Sequence, residues 1–193
     1  HILEHVIVEC RAAVCGPIDY GPDFSRRGDL PPVQCEDGDV SGSLSGKVDR
    51  VGGYIKNGRL YLRVMDYKSG KKSFSLSDIW YGLNMQLIIY LYALQQEGLD
   101  RYRARLTAEL NEIVPAGVLY VPVRDELPDA ARDTDEDGLR ILRDKALRRS
   151  GLLSDDMSLP EAMEHGHEGD GRYNPVYIQT RQGRDEPTLS AKY

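Results

Sequence analysis

Gly46-Lys47-Val48-Asp49-Arg50-Val51 leads through Lys56-Asn57-Gly58-Arg59 to Leu60-Tyr61-Leu62-Arg63-Val64-Met65-Asp66-Tyr67-Lys68. Asn-Gly between two strand-like runs is the strongest short-range signal for a two-residue type I′ hairpin turn. With Asn57 and Gly58 as the turn, facing positions sum to 115, and Asp49 lies directly opposite Asp66. Opposed side chains share a face with Cβ atoms about 4.5–5.5 Å apart, where two like charges destabilise the pair. A cation held between the carboxylates removes that cost. Lys68, two positions beyond Asp66, projects from the same face. Two carboxylates and a lysine gathered on one patch point to metal-assisted hydrolysis. Gly52-Gly53 is the place where a bulge would shift the register by one.

The rest of the chain sets the frame for this hairpin. At 193 residues it fits a single domain, 1–193, able to bury a substantial core. Charged residues at 29% and hydrophobic ones at 40% describe an ordinary soluble protein. The longest apolar run, Leu87 to Leu94, is far too short to span a membrane, and no signal peptide opens the chain. Cys10, Cys15 and Cys35 are odd in number and lack paired metal-ligand spacing, so reduced thiols in the cytoplasm are expected. The net charge of −6 is unevenly spread. Residues 125–170 carry 14 Asp/Glu against 6 Lys/Arg, whereas the remainder carries 17 against 19. Acidity is thus concentrated away from the hairpin, although charge alone marks no nucleic-acid footprint.

Periodicity gives a coarse order of elements. Ile2, Leu3, Val6, Ile7, Cys10 and Val14 make a helical stripe, ended by Gly16-Pro17. Pro17–Pro32 reads as a connection with room for an edge strand near 18–24. The hairpin occupies 39–54 and 60–67. Ser77-Asp78 caps a predicted helix running to about Gln96, with Gly98 as its stop. Leu99, Tyr102, Leu106, Leu110 and Ile113 continue as a second helix. Pro115-Ala116-Gly117 then leads into a buried strand, Val118–Val121. Residues 124–138 read as acidic loop, 138–149 as a short helix, 154–172 as polar loop and 176–180 as a last strand. Core, about 39–123, acidic loop and helix, 124–172, and C-terminal strand region, 173–193, together predict an α/β sandwich around a mixed sheet.

Gln86 and Tyr90, four apart, share one face of the helix after the hairpin. A carboxylate, Asp66-x-Lys68 and Gln86-x-x-x-Tyr90, in this order and spacing, resemble the PD-(D/E)XK nuclease superfamily in its RecB-like branch, and most of all the nuclease domains of AddB-type helicase–nuclease subunits. Tyr81–Leu91, Pro115–Tyr120 and Ser150-Gly151-Leu152-Leu153 are similar to that family too. The resemblance implies a restriction-endonuclease-like fold, with a central mixed β-sheet flanked by helices. It implies that Asp49 and Asp66, with the main-chain carbonyl of Tyr67, hold Mg²⁺, with Mn²⁺ as a substitute, in an all-oxygen site. Lys68 is then expected to orient the attacking water or stabilise the transition state, and Gln86 and Tyr90 to support it. Lys71 and Lys72 could reach DNA phosphates. The implied activity is hydrolysis of DNA phosphodiesters, as an exonuclease processing double-strand breaks beside an AddA-type helicase partner in a bacterial cytoplasm. A stand-alone RecB- or Cas4-like exonuclease and a silent DNA- or partner-binding scaffold are the alternatives.

Two features depart from that family. Its members carry a histidine in an N-terminal helix, a role that the sequence assigns to neither His1 nor His5. AddB-type subunits also carry four cysteines around an iron–sulfur cluster, and the three cysteines here lack that spacing, as expected of an excised domain. Two further motifs are read as decoys. Asp133-Thr134-Asp135-Glu136-Asp137-Gly138 resembles a calcium loop, but Arg140 takes a normally apolar position, so helix capping is preferred. Glu164-His165-Gly166-His167-Glu168 sits among glycines without the geometric control a zinc site needs.

Overall fold

The computed structural model describes residues 31–44, 46–70, 72–106, 109–123, 129–163, 173–179 and 188–191. The expected N-terminal stripe, the edge strand near 18–24, Lys71 and the 164–168 histidine motif lie outside them. Among the described residues, contacts divide the chain into two compact units. The first takes in Asp66 and what precedes it together with Leu76–Val118, and the second Tyr67–Ser75 with the chain from Leu119 onward.

Strand β1 (Val33–Asp37) turns through Gly38 at φ +58° into β2 (Val40–Leu44), an antiparallel pair in register from Val33↔Leu44 to Asp37↔Val40. Sequence pattern places the first strand of this region at 39 and gives no sign of β1. Strand β3 (Arg50–Lys56) and β4 (Arg59–Lys68) form the expected hairpin. Asn57 at φ 53° and Gly58 at φ 73° supply the two positive dihedrals of a type I′ turn. Every pair from Lys56↔Arg59 to Arg50↔Met65 sums to 115, and Gly52-Gly53 makes no bulge. The glycines serve packing instead. A Cβ on Gly52 would lie 2.9 Å from Arg63 Nε, and one on Gly53 would lie 2.7 Å from Leu62 Cδ2 and 2.9 Å from the Tyr61 carbonyl oxygen.

Three helices of the first unit lie among the described residues: α1 (Leu76–Trp80), α2 (Gln86–Glu97) and α3 (Leu99–Leu106). The single helix expected from Ser77 to Gln96 is thus two. Gly82 adopts φ +78°, its N–H donates to Ile79 O at 2.9 Å, and Leu83 N–H donates to Asp78 O at 2.8 Å. These two bonds are the Schellman pattern that ends α1. Asn84, also left-handed, donates from Nδ2 to Asp78 Oδ2 at 2.9 Å. No residue of α1 is buried, and Trp80 is 87% exposed. Helix α2 packs on α3 and β1 and buries Leu87, Leu91, Ala93 and Leu94.

Strand β5 (Glu112–Pro122) begins where the second helix is predicted to continue. Leu110 and Ile113 are buried as their spacing requires, but on extended chain. Asn111 N–H donates to Gly58 O at 2.7 Å, and Arg103 Nε donates to Leu110 O at 2.7 Å. These bonds hold that segment against the hairpin turn and the α3 side chains rather than in another helical turn. At its other end, Val123 N–H donates to Lys68 O at 3.0 Å, so β4 and β5 run parallel. Strand β6 (Ser150–Leu153) completes the order β3-β4-β5-β6, a sheet that is mixed as expected. It has four residues against eleven in β5.

In the second unit, helix α4 (Glu136–Ala146) precedes β6, and α5 (Ser158–Met163) follows it. Asp135 caps α4, its Oδ1 accepting from Gly138 N–H at 2.8 Å, as the capping reading of the acidic loop expects. Helix α5 falls within the predicted polar loop. Asp156 Oδ1 starts it by accepting from the N–H and hydroxyl of Ser158, and Leu159 and Met163 are buried. Strands β7 (Val176–Gln179) and β8 (Thr188–Ala191) pair antiparallel; sequence pattern marks only the first.

Candidate active site

The burial of β4 positions the candidate residues. From Leu60 to Met65 both faces of the strand are covered, as befits a strand flanked on both sides, and burial relaxes to half from Asp66 to Lys68. The C-terminal end of a strand in a parallel pair is where α/β sheets commonly open to ligands. Asp66 is half-buried, with its Oδ2 atom fully so. The 115 register stops at Arg50↔Met65; Asp49, exposed in the bend that enters β3, and Asp66 stand one step beyond it.

Gln86 opens α2 and Tyr90 follows one turn later, with Gln86 Nε2 donating to the Tyr90 hydroxyl at 2.9 Å. The Tyr90 ring passes over Gly46 so closely that a Cβ there would lie 2.6 Å from Cε1 and 2.9 Å from the hydroxyl. The segment leading into Asp49 and the Gln86-x-x-x-Tyr90 face of α2 therefore meet at a glycine. Sequence reasoning gives Gly46 no role beyond flanking the strand. Its only signal is a glycine three residues ahead of a candidate ligand.

In the second unit, Lys68 ends β4 with its Nζ 5.7 Å from the centroid of the Tyr120 ring. Lys72 Nζ lies 4.6 Å from the same centroid. Both distances fall within the roughly 6 Å reach of a cation–π contact. Tyr120 is buried on β5 and also meets the Phe74 ring at a centroid distance of 6.4 Å. Sequence pattern places it in a buried strand and says nothing more. Lys71 lies outside the described residues.

Asp49 and Asp66 carry carboxylates, oxygen donors of the kind that a hard divalent ion takes. Among the described residues, no cluster of three or more His, Cys, Asp or Glu side chains could hold a metal, the acidic loop before α4 included. No described helix is long and apolar enough to cross a membrane.

Residues 9–173 match the family model of the PD-(D/E)XK nuclease superfamily. Curated relatives agree with that match. An ATP-dependent helicase/deoxyribonuclease subunit from Acetivibrio thermocellus is 35% identical over 178 residues, covering 92% of this chain and 15% of that protein. The protein of the same name from Ruminiclostridium cellulolyticum is 34% identical over 92% of this chain and 14% of its own length. That of Symbiobacterium thermophilum is 34% identical over 85% and 13%. The chain spans about 15% of the length of these relatives.

Proposed function

Because the chain belongs to the PD-(D/E)XK nuclease superfamily, we propose that it is the metal-dependent deoxyribonuclease domain of an AddB-type subunit. Its substrate would be DNA at double-strand breaks and its partner an AddA-type helicase, in a bacterial cytoplasm, with exonucleolytic cutting. The observation that supports this reading is the unbroken 115 register, which runs to Arg50↔Met65, one step short of Asp49 and Asp66. Names carried by the relatives support the choice of DNA and of a helicase setting.

Asp49, Asp66 and the Tyr67 carbonyl would hold Mg²⁺, or Mn²⁺ in its place. When bound, the ion would acidify a water and offset the charge that builds on the scissile phosphate. Lys68 brings a compact ammonium to the same phosphate oxygens, a fixed positive charge where negative charge grows. Gln86, held by its bond to Tyr90, offers its amide oxygen to the attacking water. In the reaction a water oxygen joins phosphorus, the P–O bond to the leaving strand breaks, and that oxygen takes up a proton. No covalent enzyme intermediate forms.

Calorimetry with Mg²⁺ and a cleavage assay on linear DNA test this together. Asp49→Asn and Asp66→Asn are expected to abolish both metal binding and cutting. Lys68→Ala should keep metal binding and slow turnover by about 10²–10³-fold, the scale of losing one fixed electrostatic donor. Undiminished Mg²⁺ affinity in Asp66→Asn would sink the ligand assignment. Equal DNA binding without cutting in every form, wild type included, would leave a scaffold.

A further inference from the structure

The second unit contains a pocket of about 330 Å³ that shares Lys68 with the hydrolysis proposed above and is otherwise built from residues with no role in it. Among the described residues five cations line it: Lys68 and Lys72 from the end of β4 and the chain beyond, Lys145 from the last turn of α4, and Arg148 and Arg149 just after that helix. Among the described residues that line it there is no carboxylate. Ser150 also lines it, and its hydroxyl oxygen accepts from Phe74 N–H at 2.6 Å, which leaves the hydroxyl hydrogen to be donated elsewhere. Arg148 Nε is buried and has no hydrogen-bond partner among the described residues. A buried guanidinium nitrogen without an acceptor is costly.

The helix C-terminus explains part of this. Cations in and after the last turn of a helix are favoured by its dipole, which accounts for Lys145 and in part for Arg148. It does not account for Lys68 and Lys72 converging from a different part of the chain, nor for the lack of a carboxylate among the described lining residues. The basic group is the more notable because three of its five members, Lys145, Arg148 and Arg149, come from the acidic stretch, where residues 125–170 carry 14 acidic against 6 basic side chains. A net-charge count over that stretch hides it.

We propose that this pocket is a phosphate subsite, in which Arg148, Lys145 and Ser150 take a phosphate group of the nucleic-acid strand next to the one that Lys68 faces. Arginine matches phosphate oxygens with its planar fork of donors, and the hydroxyl adds a neutral donor beside it. The identity of the polyanion rests on the nuclease reading; the anion chemistry of the pocket does not. Two sources share this chemistry, an internal phosphodiester and a terminal phosphate.

The test is fluorescence anisotropy of internally labelled single-stranded DNA, titrated across a salt series in EDTA, with either end phosphorylated or not. Arg148→Met is expected to weaken binding about tenfold and to reduce the slope of log K against log salt by about one. Arg148→Lys should recover part of the loss. A loss common to all oligonucleotides assigns an internal phosphodiester. A loss confined to those bearing a phosphate on one end assigns that end. Unchanged affinity and salt slope for every oligonucleotide, in a variant whose circular dichroism matches wild type, overturns the proposal. Should Arg148→Met fail to fold, the exposed Lys145→Met carries the same readout. EDTA silences metal-dependent steps, so wild-type protein that fails to cut DNA with Mg²⁺ or Mn²⁺ would remove the nuclease reading and leave this measurement standing.

Discussion

Gly46 has no side chain where the Tyr90 ring passes, and that close approach ties the entry of Asp49 to the α2 face carrying Gln86. Gly46→Ala must push the ring aside, because a Cβ 2.6 Å from Cε1 cannot be accommodated. The expected cost is about 1–3 kcal/mol in urea denaturation, typical of overpacking. The Gln86–Tyr90 bond should be lost, and DNA cleavage should fall more than Gln86→Ala alone makes it fall. Equal stability and equal cleavage in Gly46→Ala would contradict the tie. At this scale the motif residues are legible because their chemistry is carried by spacing: Asp66 and Lys68 two apart on a strand, Gln86 and Tyr90 four apart on a helix. Tyr120 is not. An aromatic in an apolar strand declares burial but not which cations from elsewhere in the chain lie over its ring.

Among the elements, the β3–β4 hairpin is readable to the residue because Asn57-Gly58 fixes both turn type and register. Its glycines mislead only as to purpose. Gly53→Ala should cost about 1–3 kcal/mol, since the new methyl meets the Tyr61 carbonyl oxygen as well as Leu62; a chevron or equilibrium melt would show it. Helix α4 offers a milder case. Asp135→Ala removes the acceptor for Gly138 N–H and should lower stability by about 1 kcal/mol. The α1–α2 break is latent in Gly82, a glycine that marks a helix end as readily as a tolerated interior position. The helix predicted through Ile113 fails for another reason. Apolar spacing at 106, 110 and 113 fits a helix, but the pairing of Asn111 with Gly58 is a tertiary bond that no local pattern announces. Strands β1, β6 and β8 are four or five residues each, too short for alternation to rise above noise.

For the molecule as a whole, one buried phenol among the described residues should contribute to alkaline stability. Burial pushes the Tyr102 hydroxyl up to about 12 from 10.0, against the opposing pull of Arg101 and Arg105. The folded form therefore holds its proton more tightly than the unfolded chain. Stability is unaffected below about pH 10 and is lost as pH rises from there through 12. That difference in proton affinity corresponds to about 3 kcal/mol. Chemical denaturation between pH 9 and 12 should show that decline, and Tyr102→Phe should remove most of it. The probe for such melts has to be chosen with care. Trp80 is the sole tryptophan in the sequence and already stands 87% in solvent on α1. Its emission should be that of a water-relaxed indole before unfolding begins, so tryptophan fluorescence is expected to change little on the loss of the core. The same indole will blue-shift when anything apolar settles over α1, giving an unlabelled optical reporter for that face alone.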